Sequence, residues 1–197
     1  MPTDNSECPP ITLKRRSLAC ENTRYSVYLD ELVDWRSGYT VPDYLVVAPK
    51  RTVDDMISGV SILPILEHQV VLLRNYRHAI ARYVLEAPRG FIEGSEPPVK
   101  RAICELEEEV GLTCALNRIV PLGCCAPAGG LLAGRIALFV ALECHRVARP
   151  QDRAEIGLGT SVILKPIEAR ELVTNMAIED PITALALHRY LAHPLTR

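Results

Sequence analysis

Apolar residues along this chain fall into short runs broken by charge, Gly or Pro. The runs at 24–29, 44–47, 60–66, 70–75 and 83–86 are rich in Val, Ile, Leu and Tyr, which predicts strands. Glu67-His68-Gln69 separates two of them and reads as a hairpin turn, although it holds no Gly. Further strands are expected at 119–122, 136–142 and 161–164. Between 97 and 110 the period changes. Val99, Ala102, Ile103, Leu106 and Val110 recur at helical spacing and predict a helix with those side chains as its buried stripe. Pro97 and Pro98 suit its first turn, Ser95 or Glu96 stands where a cap is needed, and Gly111 stands where a helix ends. Shorter helices are expected at 167–173 and 182–191. Short strands and few helices, without regular alternation, predict an α+β fold. Residues 1–10 are polar and proline-containing and read as a loose arm.

Composition narrows the class. The chain has 197 residues, 48% of them hydrophobic, so it is long enough for one domain with a real core. With 22 Lys and Arg against 24 Asp and Glu, it lacks the basic excess of a nucleic-acid binder. No apolar run approaches the ~20 residues that span a bilayer, and the start, MPTDNSECPP, is unlike a secretory signal. The expectation is a cytoplasmic protein with no nucleic-acid or membrane partner. Its seven cysteines are irregularly spaced, without a Cys-x-x-Cys pair, and read as reduced, mostly buried side chains. The five histidines are scattered and form no metal-binding spacing.

The chemistry lies between Gly90 and Leu112. Glu105, Glu108 and Glu109 fall at i, i+3 and i+4, so their carboxylates project from one side of the predicted helix. Such a cluster is either a solvated acidic face or a hard-cation site for Mg²⁺ or Mn²⁺, which bind carboxylate oxygens while engaging substrate phosphates. The segment before it, Glu86-Ala-Pro-Arg-Gly90, links a strand to a short polar loop and can bring metal beside a diphosphate.

This stretch resembles the Nudix hydrolase signature, G-x5-E-x7-R-E-U-x-E-E-x-G-U, where U is a bulky aliphatic. Gly90, Glu96, Glu105, Leu106, Glu108, Glu109, Gly111 and Leu112 match eight of its nine specified positions. Cys104 stands where the family has Arg. LLRNYRHAIARYVLEAPRG (72–90), Pro127 fifteen residues after Leu112, and IEDPITALAL (178–187) are similar to the ADP-ribose pyrophosphatase branch. The resemblance implies an α/β/α sandwich around a mixed sheet. It divides the chain into an N-terminal arm and strand region (1–55), which would form a homodimer by exchange, and a hydrolase domain (56–197).

It also implies an activity: Mg²⁺-dependent hydrolysis of the pyrophosphate bond of ADP-ribose or a related nucleoside diphosphate derivative, with Mn²⁺ as a substitute. GDP-mannose-like sugars and dinucleotides are the rival substrates. Glu105, Glu108 and Glu109 would hold the metal, with a backbone carbonyl near Arg89. Glu155, with Asp152 behind it, is the candidate for a late-loop carboxylate that completes water activation. Arg77 is the candidate phosphate or ribose contact, and Tyr76 either stacks on a base or packs in the core. Pro127 and Arg89 complete the substrate-binding set, Arg89 by adding positive charge beside the phosphates. A Glu109→Gln change is expected to spare the fold, because the acids occupy the solvent-facing side of the helix.

Two departures matter. The family's signature Arg pairs with and orients the carboxylates, which Cys104 cannot do; Arg101 or Arg89 is the candidate replacement. The segment AGGLLAG after Pro127 lacks the acid that ADP-ribose hydrolases often carry there. These departures motivate an alternative, a Nudix-fold binding or regulatory module with weak or no catalysis.

Overall fold

A computed structural model describes residues 9–147 and 156–193. The chain divides into two compact units, one of residues 1–51 with 128–134, the other of 52–127 with 135–197.

The first unit is an antiparallel meander of β1 (Ile11–Glu21), β2 (Tyr25–Asp34) and β3 (Thr40–Pro49). The 128–134 segment docks on β3: Val47 N–H donates to Leu131 O at 2.8 Å, Ala133 N–H to Val47 O at 2.9 Å, and Tyr44 Oη to Gly130 O at 2.7 Å. β1 was not expected as a strand, for a physical reason. Lys14, Arg15 and Arg16 interrupt its apolar positions, and register shifts at Leu13/Arg15 and Leu18/Cys20 break the period of two. One charge pair anchors it. Asp30 is buried and takes Arg16 Nε at 2.8 Å and Nη2 at 2.6 Å, while the guanidinium lies 4.8 Å from the Tyr28 ring centre.

The second unit is built on a mixed sheet. Its strands are β4 (Ile57–Leu66), β5 (Gln69–Arg77), β6 (Arg82–Glu86), β7 (Arg89–Phe91), β8 (Leu112–Thr113), β9 (Ile119–Cys125), β10 (Arg135–Arg146) and β11 (Thr160–Leu164). The main path runs β11-β5-β4-β10-β8, with β6 on β5, β7 on β4 and β9 on β10. β4 and β10 pair in parallel; the other ladders among the described residues are antiparallel. The helices are α1 (Pro98–Val110), α2 (Pro166–Thr174) and α3 (Pro181–Ala192).

β4 is buried along its whole length, as a strand covered on both faces must be. Ile62, Ala137, Phe139 and Ala141 pack with Ala102 and Leu106 of α1. Leu63, Leu138 and Val140, one step along their strands, pack instead with Ala169 of α2 and with Ile182, Ala186 and Leu187 of α3. Alternation by two thus divides one sheet between two helical layers, and the unit is the α/β/α sandwich expected within an α+β fold.

The hairpin between β4 and β5 closes in two residues, Glu67 and His68, both at positive φ (49° and 64°). This is the backbone sense that tight hairpins need, here adopted without glycine. The helix end at Gly111 is left-handed (φ 64°), and its N–H reaches Glu107 O. The expected cap by Ser95 or Glu96 is not made. Pro97 takes the cap position and Pro98 the first turn, with no side-chain capping bond. Cys114 and Cys144 are buried, Cys20 is exposed, and no described cysteine is in a disulfide. No helix among the described residues is long and apolar enough to cross a membrane.

The Arg16–Asp30 pair generates a pH prediction. The Arg16 hydrogen bonds hold the Asp30 carboxyl below its ordinary value, against the opposing effect of burial. A depressed carboxylate pKa stabilises the fold above the unfolded value, and that stability is lost as pH falls through the folded value. Arg16→Met should cost about 1 kcal/mol at pH 7, kept small because water screens the half-exposed guanidinium. Urea unfolding should show the deficit shrinking as pH falls below about 4, the ordinary aspartate value of the unfolded chain, and vanishing as pH passes through the lower value of folded Asp30.

Candidate active site

Two of the α1 acids are turned away from solvent, while the Glu108 side chain stays 40% exposed. Glu105 and Glu109 are only 4% and 2% exposed. This corrects the expectation of a solvent-facing acidic side. On α1, buried Ala102, Glu105, Leu106 and Glu109 form one inward stripe, so the apolar and acidic positions share a face. The site lies where that stripe meets β7, which is hydrogen-bonded to β4 through Ser61↔Arg89, Val60↔Gly90 and Gly59↔Phe91.

Backbone makes the contact possible. Glu109 Oε2 accepts the Arg89 backbone N–H at 2.9 Å. At Gly90 a side chain has no room: a Cβ there would stand 1.7 Å from Glu105 Oε1. The two carboxylates therefore lie directly against the chain at 89–90. Buried carboxylates need donors or cations, since desolvation penalises their charge.

Arg101 is one such cation. Its Nη2 lies 2.5 Å from Glu105 Oε1 and 3.1 Å from Glu108 Oε2, and its Nη1 lies 3.8 Å from Glu93 Oε2. Its side chain is 13% exposed. Burial alone works against the guanidinium charge, but Glu105, Glu108 and Glu93 outweigh it and raise the Arg101 pKa. Cys104 sits beside this group; burial pushes its thiol pKa up, and Arg101 partly offsets that.

Arg89 points elsewhere. Its guanidinium donates to Glu86 Oε1 at 2.5 Å and to Asp180 Oδ1 at 2.8 Å. It therefore adds no surplus positive charge beside a phosphate, contrary to expectation, because two carboxylates already match it. Glu86, 1% exposed, also accepts Asn75 Nδ2 at 3.1 Å and Arg77 Nε at 2.9 Å, and it pairs with Arg77 Nη2. Asp180 caps α3 by accepting Thr183 N–H at 2.8 Å. The Thr183 hydroxyl donates to Asp180 Oδ2 and accepts Ala87 N–H, each at under 3 Å (2.7 and 2.9 Å). A continuous hydrogen-bonded chain thus runs from Arg77 through Glu86 and Arg89 to Glu109 in one direction and to the start of α3 in the other.

Of the residues singled out in the sequence, this arrangement unites Glu105, Glu108, Glu109, Arg89 and Arg77. Tyr76 lies apart. Strand alternation puts it on the opposite face of β5 from Asn75 and Arg77. There its ring stands 5.2 Å from that of Tyr83, which also carries the Arg74 guanidinium at 4.0 Å. Pro127 follows β9, half-buried, at the last residue before the 128–134 segment. Glu155 and Asp152 lie outside the described residues. Sequence reasoning had no role for Glu86, Asn75, Asp180 or Thr183. All four sit inside the stretches that carried the family resemblance, 72–90 and 178–187, so the signal was present without its mechanism. Among the described residues, no three His, Cys, Asp or Glu side chains are gathered closely enough to hold a metal ion between them as they stand. Arg101 stands among the acids instead. The donor set nonetheless fits a hard cation: carboxylate oxygens beside the backbone at 89–90, at a cradle only glycine leaves open.

No family model matches the chain. It is 38% identical over 74 residues to the ADP-sugar pyrophosphatase of Mus musculus, covering 35% of this chain and 34% of that protein. The chain thus spans about a third of that relative's length. It is 24% identical over 141 residues to the ADP-ribose pyrophosphatase of Bacillus subtilis (strain 168), covering 71% of this chain and 75% of that one. It is 33% identical over 139 residues to the methanol dehydrogenase activator of Bacillus methanolicus, covering 70% and 74%. In fold it matches a crystal structure of an ADP compounds hydrolase, with a TM-score of 0.75, 20% identity, and coverage of 94% of this chain and 96% of that one. With eight signature positions in place and these relatives beside it, the chain belongs to the Nudix hydrolase family, in its ADP-ribose pyrophosphatase-like branch.

Proposed function

We propose that this chain hydrolyses the pyrophosphate linkage of ADP-ribose or a related nucleoside diphosphate derivative, giving a nucleoside monophosphate and a phosphorylated moiety. The observation that carries this reading is the burial of the Glu105 and Glu109 carboxylates against the backbone at 89–90. An acidic helix face kept only for solubility has no reason to be dry. The names of the mouse and Bacillus subtilis relatives support the substrate class.

Nudix enzymes use divalent cations, and here the cation is assigned as Mg²⁺, with Mn²⁺ able to replace it. Glu105, Glu108 and Glu109 would hold it, beside the backbone of Arg89 and Gly90. When bound, it supplies neutralisation of the diphosphate charge and activation of water. In the reaction, water's oxygen adds to one phosphorus and the P–O–P bridge breaks. The bridging oxygen leaves with the other phosphate, and the proton released by water passes to base. Arg77 is assigned the phosphate or ribose contact; its one-third exposed guanidinium, paired with Glu86, supports this reading. Glu86, Arg89 and Asp180 act through others: their pairing fixes the Arg89 backbone, and that backbone fixes Glu109. Glu155 remains the proposed late-loop carboxylate.

The protein is assigned to the cytoplasm from its cysteines, irregularly spaced and without a disulfide among the described residues. Homodimer formation through the N-terminal sheet is supported by the exposed apolar side chains of Ile11, Leu13, Leu18, Leu29 and Leu45. A second reading, a binding module with weak or no catalysis, is favoured by Arg101 standing among the acids.

Incubation with Mg²⁺ and a panel of ADP-ribose, GDP-mannose and dinucleotides decides between the two readings. AMP released from ADP-ribose is expected. Absence of any monophosphate, with Mg²⁺ or Mn²⁺, would leave only the binding module. Glu109→Gln keeps an oxygen to accept the Arg89 N–H, so its melting temperature should hold while turnover falls by roughly 10²-fold or more. Gly90→Ala displaces the Glu105 carboxylate and should cost on the order of 10²-fold in turnover while raising the Mg²⁺ concentration needed for half-maximal rate. Wild-type Mg²⁺ dependence in that variant would remove Glu105 from the site.

A further inference from the structure

Cys104 leaves the acidic cluster without a cation at the signature position, and the structure shows what stands nearby. Positions 101, 104, 105 and 108 share one face of α1, spaced by three and four residues. From one turn earlier, Arg101 spans that face. Its Nε reaches Glu105 Oε1 at 2.7 Å and its Nη2 reaches Glu108 Oε2 at 3.1 Å, with Glu93 of the preceding loop 3.8 Å from Nη1. An Arg preceding Glu by four residues is the weaker order on an exposed helix, so helix propensity does not account for the contact. Burial does: a dry carboxylate left without a donor is costly, and the forked guanidinium alone can serve two acids at once. Arg89, the other cation near enough to serve, is committed to Glu86 and Asp180.

We propose that Arg101 is the positioning residue of the acidic cluster, a relocated substitute for the cation missing at Cys104, holding Glu105 and Glu108 at a fixed separation. The proposal rests on the assignment of those acids to the cation site. It has a two-sided consequence. Arg101 orders the carboxylates, and its charge also opposes an incoming cation. Removing it should therefore tighten binding of a divalent ion while impairing turnover. A merely structural role would weaken both together.

The test uses the full-length chain and Mn²⁺ alone as the first probe, with free Mn²⁺ read by electron paramagnetic resonance. Arg101→Ala should bind Mn²⁺ several-fold more tightly, as expected when a like charge leaves the site. With ADP-ribose, kcat should fall roughly tenfold or more with KM little changed, the signature of an interaction that serves the transition state. Adding Cys104→Arg to Arg101→Ala should return both the Mn²⁺ affinity and kcat towards wild type. Arg101→Lys, which keeps the charge but not the fork, should hold Mn²⁺ affinity near wild type and give an intermediate kcat. It also serves as the measured variant should the alanine form fail to fold. Unchanged Mn²⁺ affinity and kcat in the position-101 variants, or losses that Cys104→Arg does not repair, would overturn the proposal. Should the wild-type chain turn over no substrate, the proposed activity fails but the Mn²⁺ titrations still decide the role of Arg101.

Discussion

Two dry carboxylates set the terms for the larger unit. Glu105 and Glu109 are carried inward by the same helical turns that carry Ala102 and Leu106, so α1 cannot dock on the sheet without desolvating charge. Compensation draws on a backbone N–H at Arg89, the room left by Gly90, and the guanidinium of Arg101. Each belongs to a different local structure, namely a short strand, a tight approach and the first half of the helix. The fold brings them together at the cost of burying polar groups, a cost borne where function requires it.

Behind this lies the Glu86 hub. A buried carboxylate serving Asn75, Arg77 and Arg89 makes the ends of β5, β6 and β7 one unit, and Asp180 ties that unit to the start of α3. Helix capping and site geometry are here one interaction. The residue that stops α3 from fraying also limits where the Arg89 backbone can sit, and with it Glu109. Such a network is satisfied as a whole or poorly, which argues for rigidity at this end of the sheet.

Much of this was legible in the sequence, and the limits were physical. Runs of Val, Ile and Leu announced β4, β5 and β10, because strands buried on both faces need little else. The helical stripe from Val99 to Val110 and the terminal Gly111 located α1 almost to the residue. The signature spacing identified the acids, yet their burial was hidden: a pattern of glutamates reads as polar wherever it points. β1 escaped notice because its bulges scramble alternation and its side chains are all exposed. The partners of Arg89 and Tyr76 were hidden because contacts distant along the chain and the strand's pleat set them. Asp180 captures one guanidinium from ninety-one positions away, and a strand's pleat turns the Tyr76 ring from its neighbour Arg77.

The loop at 128–134 has a bearing on how the chain can be cut. Because it leaves the larger unit, lays Leu131 and Ala133 along Val47, and returns to begin β10, the smaller unit is assembled from two separate stretches of polypeptide. Removing everything up to Arg51 would not cleanly excise a module. It would strip the carbonyls of Gly130 and Leu131 of their donors and leave a stranded fragment of one unit embedded in the other. Chain connectivity itself therefore keeps the smaller unit from being removed as a simple terminal block.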